Sequence, residues 1–146
     1  MTADLRTLIP HRPPMLLVDE IVSLTAQAGQ SKTHIGADFL FLRADGTVAP
    51  EAFCEIIAQS YGVCEGQRRL DAGLSLDGGG YLVSVRDFEV FALARVGDEL
   101  CTHTQQLDDC FGTRIVQGTV WRGSEKLAQA TVYIFMFAGQ APAEVK

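Results

Sequence analysis

The chain has no stretch approaching the roughly 20 consecutive apolar residues that a membrane-spanning helix needs, so no such helix is expected. Its start, Met1-Thr2-Ala3-Asp4-Leu5-Arg6, has neither the basic opening nor the apolar run of a secretory signal, which makes the cytoplasm the default expectation. The four cysteines, Cys54, Cys64, Cys101 and Cys110, form no Cys-x-x-Cys pair; reduced thiols are expected, not bridges or a zinc site. The three histidines, His11, His34 and His103, show no metal-ligand spacing, and no metal or other cofactor is expected. Excess positive charge is also missing. A net charge of −6 argues against nucleic acid as a partner, because phosphate binding needs a basic surface. Neither Ser60 nor Cys64 has a base close in sequence, which disfavours a nucleophilic triad. No internal repeat, low-complexity run or domain boundary interrupts residues 1–146, which read as one domain.

What remains is an ordinary globular composition, 47% hydrophobic and 21% charged over 146 residues. A chain of that length can bury roughly two thirds of its unfolded surface without metal or disulfide. Leu16 to Leu24 reads as a strand, with Ser31 to Ile35 after Gly29 as its antiparallel return. The turn signal Asp45-Gly46 precedes the one strongly helical stretch, Pro50 to Tyr61. Proline suits a helix start, and Glu51 sits well near the positive end of the dipole. Phe53, Ile56, Ile57, Ser60, Tyr61 and Cys64 recur at helical spacing and make one apolar stripe. Residues 66–80 have the composition of a loop, and the triple glycine Gly78-Gly79-Gly80 reads as a flexible connector because it opens a strand and not a helix. Tyr81 to Phe91, Glu99 to Leu107, Thr113 to Trp121 and Lys126 to Phe137 read as strands of a late antiparallel meander. Asp108 to Gly112 and Arg122 to Glu125 supply turns, and the tail from Gly139 to Lys146 is expected to fray. The fold class expected is α+β, an antiparallel sheet wrapped around one long helix.

Glu55 is the first candidate for chemistry, a carboxylate near the start of that helix among apolar neighbours. At 100° per residue it points away from the stripe, onto a face shared with Glu51, Ala58, Gln59, Gly62 and Gly66. A solvated face would explain the charges. The small residues suggest that something comes close there, since glycine within a helix costs about 0.5–1 kcal/mol relative to alanine.

Three segments together resemble one family. Ile9-Pro10-His11-Arg12-Pro13-Pro14-Met15-Leu16-Leu17-Val18-Asp19 is similar to the Pro-His-Arg opening of hotdog-fold β-hydroxyacyl-(acyl carrier protein) dehydratases. Pro50 through Gln59, ending in Glu55-Ile56-Ile57-Ala58-Gln59, resembles the helix that carries their active-site glutamate, and Val96-Gly97-Asp98-Glu99-Leu100 resembles their Pro-Gly-Asp turn. The likeness runs from Leu8 to Met136. It departs at residues 39–46, where members of the family have a Gly-His-Phe-Pro-Gly segment with the usual catalytic histidine and this chain has none. A subset associated with aryl-polyene or unusual fatty-acid pathways looks most like it.

The resemblance implies elimination of water from a 3-hydroxyacyl thioester, carried by acyl carrier protein or coenzyme A, in fatty-acid or polyene biosynthesis. That reaction needs a base for the C2 proton, an acid for the departing hydroxyl and donors for the carbonyl oxygen. Glu55 is expected to supply the acid. His11, in a proline-bounded extended arm, is expected to replace the missing base. Pro50, Glu51, Ala52 and Gln59 are expected to line the substrate site, with backbone N–H groups at the helix start. Arg12 is expected to clamp a carboxylate such as Asp19 or one in a partner subunit, while His34 and His103 are expected to be structural. An exposed sheet edge favours a homodimer or a higher oligomer, with the acyl tunnel between protomers. Two alternatives stay open: hydrolysis of the thioester, and a non-catalytic acyl-binding subunit.

Overall fold

The protein is described by a computed structural model covering residues 4–76 and 79–137. Among them, no helix is long and apolar enough to cross a membrane. A short helix, α1 (Leu5–Leu8), precedes strands β1 (Glu20–Leu24) and β2 (Ala28–His34). The long helix α2 (Glu51–Asp71) follows, then β3 (Gly79–Val90), β4 (Glu99–Cys110), β5 (Thr113–Arg122) and β6 (Glu125–Phe137). All six strands join one antiparallel sheet in the order β1-β2-β4-β5-β6-β3, and α2 touches every one of them. This is the expected sheet wrapped around a helix.

The apolar stripe of α2 is what the sheet wraps. Phe53, Ile56, Ile57 and Tyr61 are buried with Ile35, Val48, Leu100, Val116, Val120 and Val132 in the main core. Ser60 and Cys64 are buried too, Ser60 sharing a 2.6 Å hydrogen bond with Ser31 of β2. Two strand glycines let the helix come this close: a Cβ on Gly118 of β5 would lie inside the envelope of Ile57, 2.8 Å from Cγ1, and a Cβ on Gly29 of β2 would meet Cys64. Burial pushes the Cys64 thiol up to about 11. All four cysteines are free.

Four expectations are corrected. First, α2 runs about three turns past Tyr61, so residues 66–71 are helical and not loop. Gly66, the first residue of the segment with loop composition, is buried in the helix where a Cβ would lie 3.1 Å from the backbone oxygen of Leu8. Second, Gly79 and Gly80 already belong to β3; Gly78 and the tail from Gly139 lie outside the described residues. Third, only β4-β5-β6 form a meander. β3 pairs with β6 at the far edge, so the link from β3 to β4 crosses to the middle of the sheet. Fourth, Leu16 to Asp19 lie outside β1, and the N-terminal helix α1 has no counterpart in the sequence reading. The β4–β5 hairpin is also tighter than expected. Its two turn residues, Phe111 (φ 53°) and Gly112 (φ 91°), both take the left-handed region that suits the twist of the strands.

Candidate active site

The face of α2 opposite the stripe is partly covered by the N-terminal arm. Leu8 packs on Gly66, and a Cβ on Gly62 would lie 3.1 Å from Ile9 Cγ2. Leu8, Ile9, Val18, Ile21, Val63 and Cys64 form a second, smaller core. The small residues therefore serve close approach, and what approaches is the chain's own start. Arg12 holds the arm in shape by donating to the carbonyl oxygens of Ile9 (3.1 Å) and His11 (2.8 Å). Among the described residues Arg12 makes no clamp on Asp19, which accepts from the backbone N–H of His34.

Gln59 fastens the rest of the arm. Its side chain, in a residue 2% exposed, accepts from Leu17 N at 2.8 Å and donates to Met15 O at 2.8 Å. The same amide nitrogen donates to Glu55 Oε2 at 2.9 Å, one helical turn away. One buried amide thus locks the arm to the helix and fixes the carboxylate. It also sets His11 beside Glu55, with Nε2 3.5 Å from Oε2 and both side chains about one third exposed or less (33% and 29%). His11 Nδ1 is buried and, among the described residues, has no hydrogen-bond partner.

His11, Glu55 and Gln59 line a cavity of about 570 Å³ that follows the small-residue face of α2 through Ala58, Gly62 and Gly66. Leu8, Ile9, Leu82, Ile134 and Met136 give it apolar walls. Its size is that of a small-molecule site, mostly apolar with a few convergent polar groups. Pro50, Glu51 and Ala52 do not line it. Pro50 is the N-cap, Glu51 is exposed, and Ala52 is buried in the main core. The N–H groups of Ala52 and Phe53 already donate to Ala49 O and Pro50 O at 3.0 Å. Of the four residues expected to bind substrate, this chain brings only Gln59 to the cavity.

His34 and His103 lie elsewhere, His34 on the surface against Glu99 and His103 near the Trp121 ring. Residues that the sequence reading missed close the cavity's other end: Tyr61, Glu65 and Arg114. Arg114 Nη1 donates to the Tyr61 hydroxyl at 2.6 Å and lies 3.2 Å from Glu65 Oε2, while Nε lies 2.8 Å from Asp109. Burial raises the Tyr61 pKa, and the neighbouring Glu65 adds to it. For Arg114 burial opposes the charge, yet Tyr61 and Glu65 outweigh it and hold the guanidinium more firmly protonated. Glu65 lies three residues beyond Gly62, on the flank of the same face, and helical spacing would have found it. Nothing in the sequence reaches Arg114, which depends on the register of β5.

The model of the ApeP-like dehydratases (ApeP dehydratase) matches residues 3–144. The chain belongs to the ApeP-like dehydratase family. It is a 3-hydroxyacyl dehydratase-like enzyme, a hydro-lyase. Among solved structures, the ApeI:P dehydratase heterocomplex of Xenorhabdus doucetiae is similar to this ApeP-like chain with a TM-score of 0.87 at 16% identity, covering 99% of this chain and 98% of that one. The smu.793 protein of Streptococcus mutans bound to acetyl-CoA follows at 0.64 and 16%, covering 82% and 88%. PaaI of the Escherichia coli phenylacetic acid degradation operon follows at 0.63 and 9%, covering 80% and 81%. No curated protein sequence matches the chain.

Proposed function

We propose that His11 and Glu55 form the dyad with which this ApeP-like chain removes water from a 3-hydroxyacyl thioester. The 3.5 Å approach of His11 Nε2 to Glu55 Oε2, at the mouth of an apolar cavity, carries this reading. His11 Nε2 takes the C2 proton, and Glu55 delivers a proton to the C3 hydroxyl as it leaves as water. Glu55 Oε2 is occupied by Gln59 and faces His11, which turns Oε1 toward the substrate. After one turnover His11 holds the proton that Glu55 has lost. Their proximity lets it return, directly or through one water, and the site resets. The carrier is a phosphopantetheine-type thioester, on acyl carrier protein or coenzyme A; the acetyl-CoA bound by the smu.793 protein supports that class. The setting is fatty-acid or polyene biosynthesis in the cytoplasm.

His11→Asn tests the base. The prediction is a fall in kcat of roughly 10²–10⁴-fold with the thermal unfolding midpoint almost unchanged, since asparagine keeps a polar group of similar reach. A variant that turns over at the wild-type rate would remove His11 from the reaction.

The working unit is an oligomer. β3 is an edge strand of 12 residues whose Tyr81 and Val83 are each 61% exposed, a template for pairing with a second chain. Its first residues also line the cavity, so a partner seated there would add to the substrate wall. The partner is a second copy; the heterocomplex formed by the Xenorhabdus ApeI:P proteins supports a related dehydratase chain as the other candidate. Light scattering should give twice the chain mass for the wild type and the single-chain mass for Val83→Lys, whose charge blocks edge pairing. A wild-type monomer at micromolar concentration would refute self-pairing.

A further inference from the structure

The cavity has two polar ends, and the dyad uses one. From Glu55 to Glu65 the helix rises about 15 Å, at 1.5 Å per residue, with Ala58 and Gly62 between them as a smooth floor. A chain laid along that floor from the dyad reaches Arg114, Glu65 and Tyr61 with its far end. These groups are held, not loose. Tyr61 is 1% exposed, donates to Gln106 Oε1 at 2.7 Å and accepts from Arg114. Glu65 is shared between Arg114 and Arg68, each at 3.2 Å. Arg114 Nη2 has no hydrogen-bond partner among the described residues. A cavity meant for a plain methyl end would close on apolar side chains; a fixed guanidinium and phenol there leave donors and an acceptor unmatched by a methyl group.

We propose that the Arg114–Tyr61–Glu65 cluster reads the distal end of the acyl chain and selects substrates that carry a hydroxyl there. This rests on the cavity being the acyl site, as proposed above. A hydroxyl can accept from Arg114 Nη2 and donate to the Tyr61 oxygen or to Glu65. A terminal carboxylate fits less well at Arg114, whose charge is already matched by Glu65 and Asp109, while Arg69, the other cation lining the cavity, donates its Nε to Ser75 O. Arg114 is thus a specificity residue, remote from the reacting atoms.

The test compares three pantetheine thioesters of 3-hydroxy acids of equal length, about 15 Å beyond C3, ending in methyl, hydroxyl or carboxylate. Wild-type kcat/KM should favour the hydroxyl end over the methyl end by about 10–100-fold, the discrimination that a hydrogen bond to a charged group supplies. Arg114→Met should erase the preference, and Tyr61→Phe, which keeps the ring packed, should shrink it several-fold. Each ratio is measured within one protein, so the folded fraction cancels; if Arg114→Met does not fold, the wild-type and Tyr61→Phe ratios decide. Equal use of methyl and hydroxyl ends, preference for the carboxylate, or an unchanged ratio in a folded Arg114→Met would each overturn the proposal. Displacement titration with the saturated thioesters lacking the 3-hydroxyl reads the same ratio without turnover. A binding preference without any elimination would sink the dyad and leave the distal reader standing.

Discussion

Glu55→Gln should abolish nearly all elimination, lowering kcat by roughly 10²–10⁴-fold while leaving the fold intact. Glutamine is nearly isosteric with glutamate, and its amide can still take part in the hydrogen bond with Gln59, so the arm stays pinned through Met15 and Leu17. What it cannot do is give a proton to a leaving hydroxyl or take one back from His11, 3.5 Å away in the native pair. The measurement is formation of the enoyl thioester, with substrate binding followed in parallel. A loss confined to kcat marks a group that acts on the reacting atoms. A loss in binding alone, with kcat kept, would reassign Glu55 to a substrate-holding role.

The largest expected effect on stability lies at Gly118, far from the chemistry. Its Cα sits under Ile57 in the middle of β5, paired with Thr104 on one side and Ala130 on the other. A side chain there has nowhere to go: the nearest atoms belong to a fully buried isoleucine on the rigid central helix. Gly118→Val should therefore drive α2 off the sheet, at a cost of about 3 kcal/mol or more against a typical total of about 5–15 kcal/mol. The unfolding midpoint should fall on the order of 10 °C. Because α2 carries Glu55 and Gln59, residual folded protein should also lose activity. Gly123→Val is the control. That glycine has open space around it but a φ of +60°, so its penalty is local backbone strain and should be smaller. Equal stability of Gly118→Val and wild type would mean that the helix does not rest on β5 as described.

The two predictions draw on different layers of legibility. The apolar stripe of α2 was readable because burial imposes a period of 3.6, and Phe53, Ile56, Ile57, Tyr61 and Cys64 all face the sheet. Glu55 and His11 were readable as a pair only because the Pro-His-Arg arm and the Glu-x-x-Ala-Gln helix occur together; 44 positions separate them, and no local pattern brings them into contact. Their contact follows from Gln59, whose amide reaches back to Met15 and Leu17. The helix end was misread at Gly66, where a residue of low helix propensity is retained because Leu8 occupies the space a Cβ would fill. The place of β3 was misread for a different reason. Alternation and turns show that a strand exists, but pairing with β6 instead of β4 is a tertiary choice that leaves no local mark. Substrate contacts at the helix start were likewise expected from free N–H groups. Those of Ala52 and Phe53 are already engaged in tight first-turn bonds.

The most direct measurement is mass spectrometry of a pantetheine-bound 3-hydroxyacyl thioester after incubation with the wild type, Glu55→Gln and His11→Asn. The dyad predicts loss of one water with the thioester intact for the wild type, and unchanged substrate for both variants. Free carboxylic acid from the wild type, or full dehydration by either variant, would contradict it.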